Sequence, residues 1–171
     1  MIKNFLRYSQ KGASLIELLL YFSLLGILLT TVTDVMLRTS EFSLEASAKN
    51  ALLADGRFIT SRLAYDIHRA DSITTPVNLG ANSATLTLIV GSETHIYTLS
   101  GANLEYEQIA GPSTQTANIN SNKVVVNSLN FQRLGSSGGK PTLKITFELE
   151  GIKRERSGPT QKVFETVVGI R

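Results

Sequence analysis

The sequence predicts an α+β chain, in which one long N-terminal helix packs against a C-terminal head of antiparallel β-strands. Apolar residues with helical spacing run from residue 13 to about residue 70. Beyond Pro76 the pattern changes to short β-rich runs separated by Gly, Asn, Ser and Pro. Because apolar periodicity is the main sequence signal of secondary structure, this change marks the boundary between helix and sheet.

The first half of the helix is apolar enough to cross a membrane. Glu17 is the only charged residue among the twenty of residues 13–32, and about twenty mostly apolar residues suffice to span a bilayer. Lys3, Arg7 and Lys11 precede this run, so the positive-inside rule places the N-terminus in the cytoplasm and the head outside. We therefore expect a single-pass protein of the cytoplasmic (inner) membrane, in which the lone ionisable side chain marks a functional site.

Two other interpretations of this segment stay open. A secretory signal peptide has the same basic start and apolar core, but it needs a small-x-small cleavage site soon afterwards. Residues 30–36 contain no such site, and Ala46-Ser47-Ala48 lies far downstream. An ordinary membrane anchor would leave Glu17 at interface depth, where a polar side chain reaches the headgroups at low cost.

A short motif opens the apolar run. It reads Gly12-Ala13-Ser14-Leu15-Ile16-Glu17 after a basic leader, and it resembles the processing site of type IV prepilins and pseudopilins. The resemblance implies that a prepilin peptidase cuts between Gly12 and Ala13 and methylates the new N-terminus at Ala13. It also implies that Glu17 faces the N-terminal amine of a neighbouring subunit. Ala13 departs from the family, which most often has Phe at that position.

Elementary electrostatics supports the same roles. Glycine at position 12 offers a protease an unhindered, flexible backbone. An α-amine created at Ala13 and the carboxylate of Glu17 have opposite charges, and in a medium of low dielectric constant an unpaired charge is expensive. Two identical parallel helices satisfy both charges only by staggering along their axis. We therefore hypothesise that Glu17 sets the axial register of assembly.

The resemblance implies a structural subunit rather than an enzyme. It is similar to a minor pilin or pseudopilin of a type IV pilus-like or type II secretion filament, exported from the inner membrane into an extracytoplasmic pilus or pseudopilus. Its expected partners are other pilin subunits, the prepilin peptidase, the inner-membrane assembly platform and membrane lipid, with no cofactor. The alternative is a membrane-tethered extracytoplasmic binding module, such as a DNA-binding competence pilin, that forms no filament. A secreted enzyme finds no support, because His68 and His95 match no catalytic or metal-ligand spacing.

The helix pattern divides the chain into segments. They are a cleaved leader at 1–12, a transmembrane or filament-core half of the helix at 13–33, its amphipathic half at 34–71, and a β-rich head at 72–171. In the amphipathic half, apolar residues recur at steps of three, four and seven, namely Ala48, Leu52, Ile59, Leu63, Ile67 and Ala70. Between them lie three opposite-charge i,i+4 pairs, which are Asp34/Arg38, Glu45/Lys49 and Arg62/Asp66. Gly56 is expected to let the helix lie close to the sheet.

A soft segment is predicted between Gly26 and Asp34. Gly26 costs about 1 kcal/mol relative to alanine in a helix interior. Thr30, Thr31 and Thr33 belong to a run of four β-branched residues, which have lower helix propensity. In the pilin family this segment can melt on assembly, and a proline commonly occupies the position of Asp34. We hypothesise that the segment unwinds in a filament, with a gentle bend as the alternative.

The head is predicted to form one antiparallel sheet or two. The predicted strands are Thr85–Val90, His95–Leu99, Leu104–Ile109, Val124–Leu134 (one bent strand or two), Leu143–Leu149 and Lys162–Ile170. A bulge is expected at Asn127-Ser128. Residues 111–122 are expected to form a polar loop, and residues 151–159 a charged turn.

Charge and composition give little support for nucleic-acid binding. The net charge is +3, and cleavage after Gly12 leaves fourteen basic and fourteen acidic residues. Lys153, Arg154 and Arg156 form the only basic cluster, and Glu155 dilutes its field. We expect a solvated turn there, with DNA binding at this basic patch as the alternative. The chain has no cysteine, so it forms no disulfide.

Overall fold

The computed structural model describes residues 14–136, 138–155 and 158–171, apart from the side chains of residues 153–155. The predicted cleavage site, Gly12 and Ala13, lies outside the described residues. So do Arg156 and the side chains of Lys153 and Arg154, so the basic patch stays a prediction.

One long helix precedes two antiparallel sheets in the described residues, which confirms the predicted α+β fold. The chain divides between Ser43 and Leu44 into two compact units. We call residues 14–43 the anchor segment and Leu44–Arg171 the head unit. In chain order the elements are α1 (Leu15–Arg69), β1 (Ser72–Thr75), β2 (Asn82–Ser83), β3 (Thr85–Val90), β4 (Glu93–Ser100), β5 (Asn103–Ala110), β6 (Ser113–Asn118), β7 (Val124–Leu134), β8 (Thr142–Glu155) and β9 (Gly158–Gly169).

Helix α1 ends as the sequence predicts. The predicted apolar stripe faces the core: Leu52, Ile59, Leu63, Ile67 and Ala70 are buried, and Ala48 is half-buried. The three predicted i,i+4 pairs also form: Asp34–Arg38 at 3.0 Å, Arg62–Asp66 at 3.1 Å, and Glu45–Lys49. After the helix, the Asp71 amide donates to the Ile89 carbonyl at 2.8 Å, which leads the chain directly into a sheet.

Sheet A has five strands in the order β1-β3-β4-β5-β6. The predicted strands Thr85–Val90, His95–Leu99 and Leu104–Ile109 correspond to β3, β4 and β5, which pair in sequence order, and β3 has the predicted bounds. Two strands of this sheet were not predicted, and neither was β2 in the other sheet. β6 lies inside residues 111–122, where we expected a loop, and its side chains are all exposed. A strand with two polar faces has no apolar alternation to reveal it, and pairing with β5 along Glu105–Ala110 creates it. β1, the other unpredicted strand, is four residues long.

Sheet B has four strands in the order β2-β7-β8-β9. β7 is a single bent strand, and its pairing with β8 shifts between Val126 and Ser128, which confirms the predicted bulge. The expected turn over residues 151–159 is wrong. β8 continues to Glu155 and β9 begins at Gly158, so the connection between these two strands is much shorter than the predicted turn. A second register shift, between Glu150 and Arg154, accommodates the charged residues within the hairpin.

One apolar core joins the head half of α1 to the inner faces of both sheets. Gly56 is buried, and a methyl group at this position would overlap the ring of Phe164 on β9. The Phe164 ring stacks on Phe147 at 5.2 Å between centroids. The expectation that Gly56 lets the helix lie close to the sheet is therefore confirmed, because only a residue without Cβ fits here.

Arg133 on β7 holds the loop that follows β1. Its guanidinium donates to the carbonyls of Ile73, Pro76 and Val77 at 3.1, 3.1 and 2.8 Å. Its backbone completes the attachment, because the Gly80 amide donates to the Arg133 carbonyl at 2.7 Å. These contacts do not involve the side chains of the loop, and that of Val77 is 69% exposed.

Candidate functional site

The anchor segment is the candidate functional site, because its apolar surface is uncovered. Every described residue from Ser14 to Leu44 is exposed. The large apolar side chains among them are Leu15, Ile16, Leu18, Leu19, Leu20, Tyr21, Phe22, Leu24, Leu25, Ile27, Leu28, Leu29, Val32, Val35, Met36, Leu37, Phe42 and Leu44. A helix that is apolar on all sides is normally buried in lipid or in a protein bundle. The segment therefore needs surroundings that this single chain does not supply.

A lipid bilayer is one environment that fits. Within the described residues, α1 is the one helix long and apolar enough to cross a membrane. Twelve Leu, Ile, Phe and Val residues lie between Leu15 and Val32, and at about 0.3–0.6 kcal/mol each they favour insertion by about 4–7 kcal/mol. A carboxylate at the bilayer centre costs about 2.5–3.5 kcal/mol on the same scale. The segment can therefore insert even with Glu17 charged.

Glu17 lies in the first turn of α1. The helix is already formed there, because the Leu18 amide donates to the Ser14 carbonyl at 3.1 Å. One turn later, the Tyr21 hydroxyl donates to Glu17 Oε1 at 3.3 Å. Among the residues that the structure describes, no cation forms an ion pair with this carboxylate.

The predicted soft segment is helical throughout in the isolated subunit. The Thr30 hydroxyl donates to the Ile27 carbonyl at 2.8 Å, and the Thr31 and Thr33 hydroxyls donate to carbonyls one turn earlier at 2.8 Å. Such bonds hide the polar hydroxyls from lipid, but they compete with the backbone ladder and weaken it slightly. Gly26 has open space around its Cα. Unwinding of this segment in a filament stays a prediction.

A buried polar cluster joins α1 to sheet A, and sequence reasoning did not predict it. The polar cluster consists of Arg62, Asp66, His95, Tyr97 and Tyr106. Asp66 is only 1% exposed, and its Oδ2 accepts from the Tyr97 hydroxyl and, at 3.1 Å, from Arg62 Nε. His95, 4% exposed, has Nδ1 at 3.5 Å from the same oxygen and 3.3 Å from the Tyr106 hydroxyl. The groups satisfy one another and tie the helix to the sheet.

The surroundings of the polar cluster shift several pKa values. Burial raises the pKa of the Tyr97 hydroxyl, and its hydrogen bond to Asp66 raises it further. Burial also raises the pKa of the Tyr106 hydroxyl. At the edge of the cluster, hydrogen bonds from His95 and Gln108 lower the pKa of the Glu93 carboxyl. The two tyrosines therefore stay protonated well into the alkaline range while the head is folded.

One signal in the sequence could have revealed this cluster. Asp66 lies three residues after Leu63 and directly before Ile67, so it falls inside the predicted apolar stripe. A carboxylate at such a position needs buried partners. His95 and Tyr97 are two residues apart on a predicted strand and share a face. Which strand meets Asp66 depends on the tertiary fold, and periodicity alone does not provide it.

The remaining candidate residues in the described part of the chain are His68 and the basic residues of sheet B. Among the described residues, no group of three potential metal-ligating side chains occurs. His68 Nδ1 lies 2.9 Å from the Gly169 carbonyl, so this histidine links α1 to the end of β9. Two residues that could have extended the basic patch are engaged elsewhere: Arg133 holds the loop after β1, and Lys144 pairs with Glu165 at 2.9 Å.

Comparison with known proteins gives no relative. No protein-family model matches the chain, and neither a curated protein nor a solved structure does. The architecture itself, a long apolar N-terminal helix followed by antiparallel sheets, is pilin-like.

Proposed function

We propose that this chain is a structural subunit of a pilus-like filament, a minor pilin or pseudopilin, that assembles through its N-terminal helix. The observation that supports the proposal most strongly is the anchor segment. Its first part, residues 14–32, is apolar and exposed on every side, and Glu17 in the first turn of the helix is its single carboxylate. Lipid can cover such a helix before assembly, and the helices of other subunits can cover it afterwards.

Processing is the second part of the proposal. A prepilin peptidase would cut after Gly12 and leave an α-amine at Ala13, four residues before Glu17. Within one helix the two groups would lie about one turn apart. When the carboxylate faces the incoming amine of the next subunit, the attraction between the two charges offsets much of the cost of keeping each of them in the apolar phase. The chain is then a substrate of an enzyme rather than an enzyme, and it needs no cofactor.

The experiment follows the N-terminus and the fate of Glu17 in the native envelope. Intact-mass spectrometry of the membrane-extracted protein should find an N-terminus at Ala13, with or without one methyl group. Glu17→Gln should leave cleavage intact and strongly reduce incorporation into filaments, because the amine of the neighbour then lacks its counter-charge. Glu41→Gln is the matched control, since Glu41 is a carboxylate on the same helix beyond the apolar run.

Two outcomes would overturn the proposal. A protein that still begins at Met1 in its native envelope would be a membrane-tethered module, and an N-terminus near Lys49 would indicate secretion. Normal incorporation of the Glu17→Gln variant would remove the proposed role of the carboxylate in setting the register.

A further inference from the structure

The outward face of α1 in the head unit carries two unusual exposed aromatic side chains. Phe58 is 57% exposed and Tyr65 is 54% exposed, and Ser61 lies between them on the same face of the helix. We call Phe58, Ser61 and Tyr65 the helix stripe. It points away from the buried face formed by Ile59, Leu63 and Ile67.

Positive charge borders the helix stripe. Arg69 donates to the Tyr65 hydroxyl at 3.0 Å and lies 5.1 Å from the centroid of its ring, so the cation stays beside the aromatic face. Arg57 is exposed next to Phe58, and within the described residues it makes no ion pair. A partner for this surface should be apolar in the middle and acidic at the side.

The outer face of sheet A combines apolar side chains with acidic ones, as such a partner surface requires. Its inner face is fixed by the contact of Tyr97 with Asp66 on α1, so the alternate residues point away from the helix. One cross-strand row there reads Ile89, Thr94, Ile109 and Thr114, and the next reads Thr87, Ile96, Glu107 and Thr116. Glu105 follows on the same strand. Like Glu107, it forms no ion pair with a described residue.

The two surfaces also agree in spacing. Phe58 and Tyr65 are seven residues apart, about 10.5 Å along the helix axis. Ile89 and Ile109 lie two strands apart in one row, about 9.6 Å. When one aromatic ring rests on each of the two isoleucines, Ser61 lies near Thr94, because Thr94 is the residue between the isoleucines in the row.

We propose that the helix stripe of one subunit docks on the outer face of sheet A in a second copy of this chain, with Arg57 beside Glu107. The two surfaces are different patches of the head unit, so the contact is heterologous and does not close into a two-fold pair. The inference rests on the proposed function. A few side chains make a small, weak interface, and membrane or filament helices that hold the subunits together raise its effective concentration.

The absence of cysteine makes the contact directly measurable. Two full-length copies with different tags are co-expressed in the native host, one carrying Ser61→Cys and the other Thr94→Cys. A bis-maleimide with a span of about 10 Å, the usual separation of packed layers, is then added to the cells. We expect a cross-linked dimer from the mixed pair and none from either variant expressed alone.

Matched controls test position and charge. Thr146→Cys replaces Thr94→Cys in the first control, because Thr146 is a threonine on the outer face of sheet B, next to the inward Phe147. It should give no dimer with Ser61→Cys. Arg57→Glu in the Ser61→Cys copy should lower the cross-linked fraction about tenfold, and Glu107→Lys in the Thr94→Cys copy should restore it.

Co-purification of the two tagged copies separates the two possible failures. Copies that co-purify without the Ser61–Thr94 cross-link would overturn the docking surface and leave the proposed function standing. Copies that neither co-purify nor cross-link would overturn both. Equal dimer yield from Thr94→Cys and Thr146→Cys, or no response to Arg57→Glu, would also contradict the docking surface.

Discussion

At the scale of single residues, close packing depends on one hydrogen atom at position 56. The Cα of Gly56 faces the Phe164 ring, and that ring is held in place by its stack on Phe147. Alanine favours a helix by about 1 kcal/mol over glycine, so propensity alone would make Gly56→Ala stabilising. Overpacking in a filled core costs about 1–3 kcal/mol, which outweighs it.

We therefore expect Gly56→Ala to lower the unfolding free energy of the head by up to about 2 kcal/mol. The same change in a Phe164→Leu background should be neutral or stabilising, because a smaller side chain leaves room for the methyl group. Denaturant unfolding of the full chain in detergent measures both. Gly26→Ala is the control, since open space surrounds its Cα. Equal effects of Gly56→Ala in the two backgrounds would show that Phe164 is not the obstacle.

At the scale of one element, the anchor half of α1 is a continuous helix whose backbone hydrogen bonds are weakened in one segment. The helix is unbroken through Gly26 and the threonines, yet the hydroxyls of Thr30, Thr31 and Thr33 all bond to carbonyls of the preceding turn. These bonds make a polar sequence acceptable to lipid and at the same time loosen the ladder. A helix through this segment in the structure is therefore compatible with the prediction that the segment opens in the proposed filament.

Hydrogen exchange in detergent tests this weakness before a filament is available. Amides between Gly26 and Asp34 should exchange faster than those of the turns on either side. Gly26→Ala should slow their exchange up to about fivefold, which corresponds to the 1 kcal/mol difference in helix propensity. Uniform protection along the anchor segment would contradict the soft segment, and so would continuous helical density through Thr30–Thr33 in a filament map.

At the scale of the whole molecule, the polar cluster links the stability of the head to pH. The folded state holds the proton of Tyr97 more tightly than the unfolded chain does, since burial and the Asp66 contact raise the pKa of this hydroxyl above its ordinary value of 10. A raised pKa in the folded state gives stability that is complete below the unfolded value and is lost as pH rises above it. The head should therefore lose stability above about pH 10.

The measurement is an alkaline titration of the full chain in detergent. Tyrosinate absorbance from Tyr97 and Tyr106 should appear together with unfolding, because both hydroxyls have a raised pKa in the folded head. Tyr97→Phe should flatten the decline of stability between pH 10 and pH 12, because phenylalanine has no hydroxyl proton to release on unfolding. Ionisation of Tyr97 near pH 10 in a folded head would contradict the prediction.

Sequence patterns predicted the parts of this molecule that have a clear period. The stripe from Leu52 to Ala70, the bounds of β3 and the bulge in β7 all follow from alternation or helical spacing. β6 escaped because its side chains are polar on both faces, so only its pairing with β5 defines it. The contact of Asp66 with Tyr97 joins residues 31 positions apart, and no local pattern encodes such a meeting.

The way in which Arg133 grips its loop bears on how this protein can diversify. Among the described residues, the hydrogen bonds of the guanidinium go to main-chain oxygens, those of Ile73, Pro76 and Val77, and every amino acid supplies that oxygen. The exposed side chains of the loop, such as Val77, can thus be substituted while the loop keeps its position. Substitutions at these exposed positions can therefore change the surface of the protein without changing the backbone of the loop.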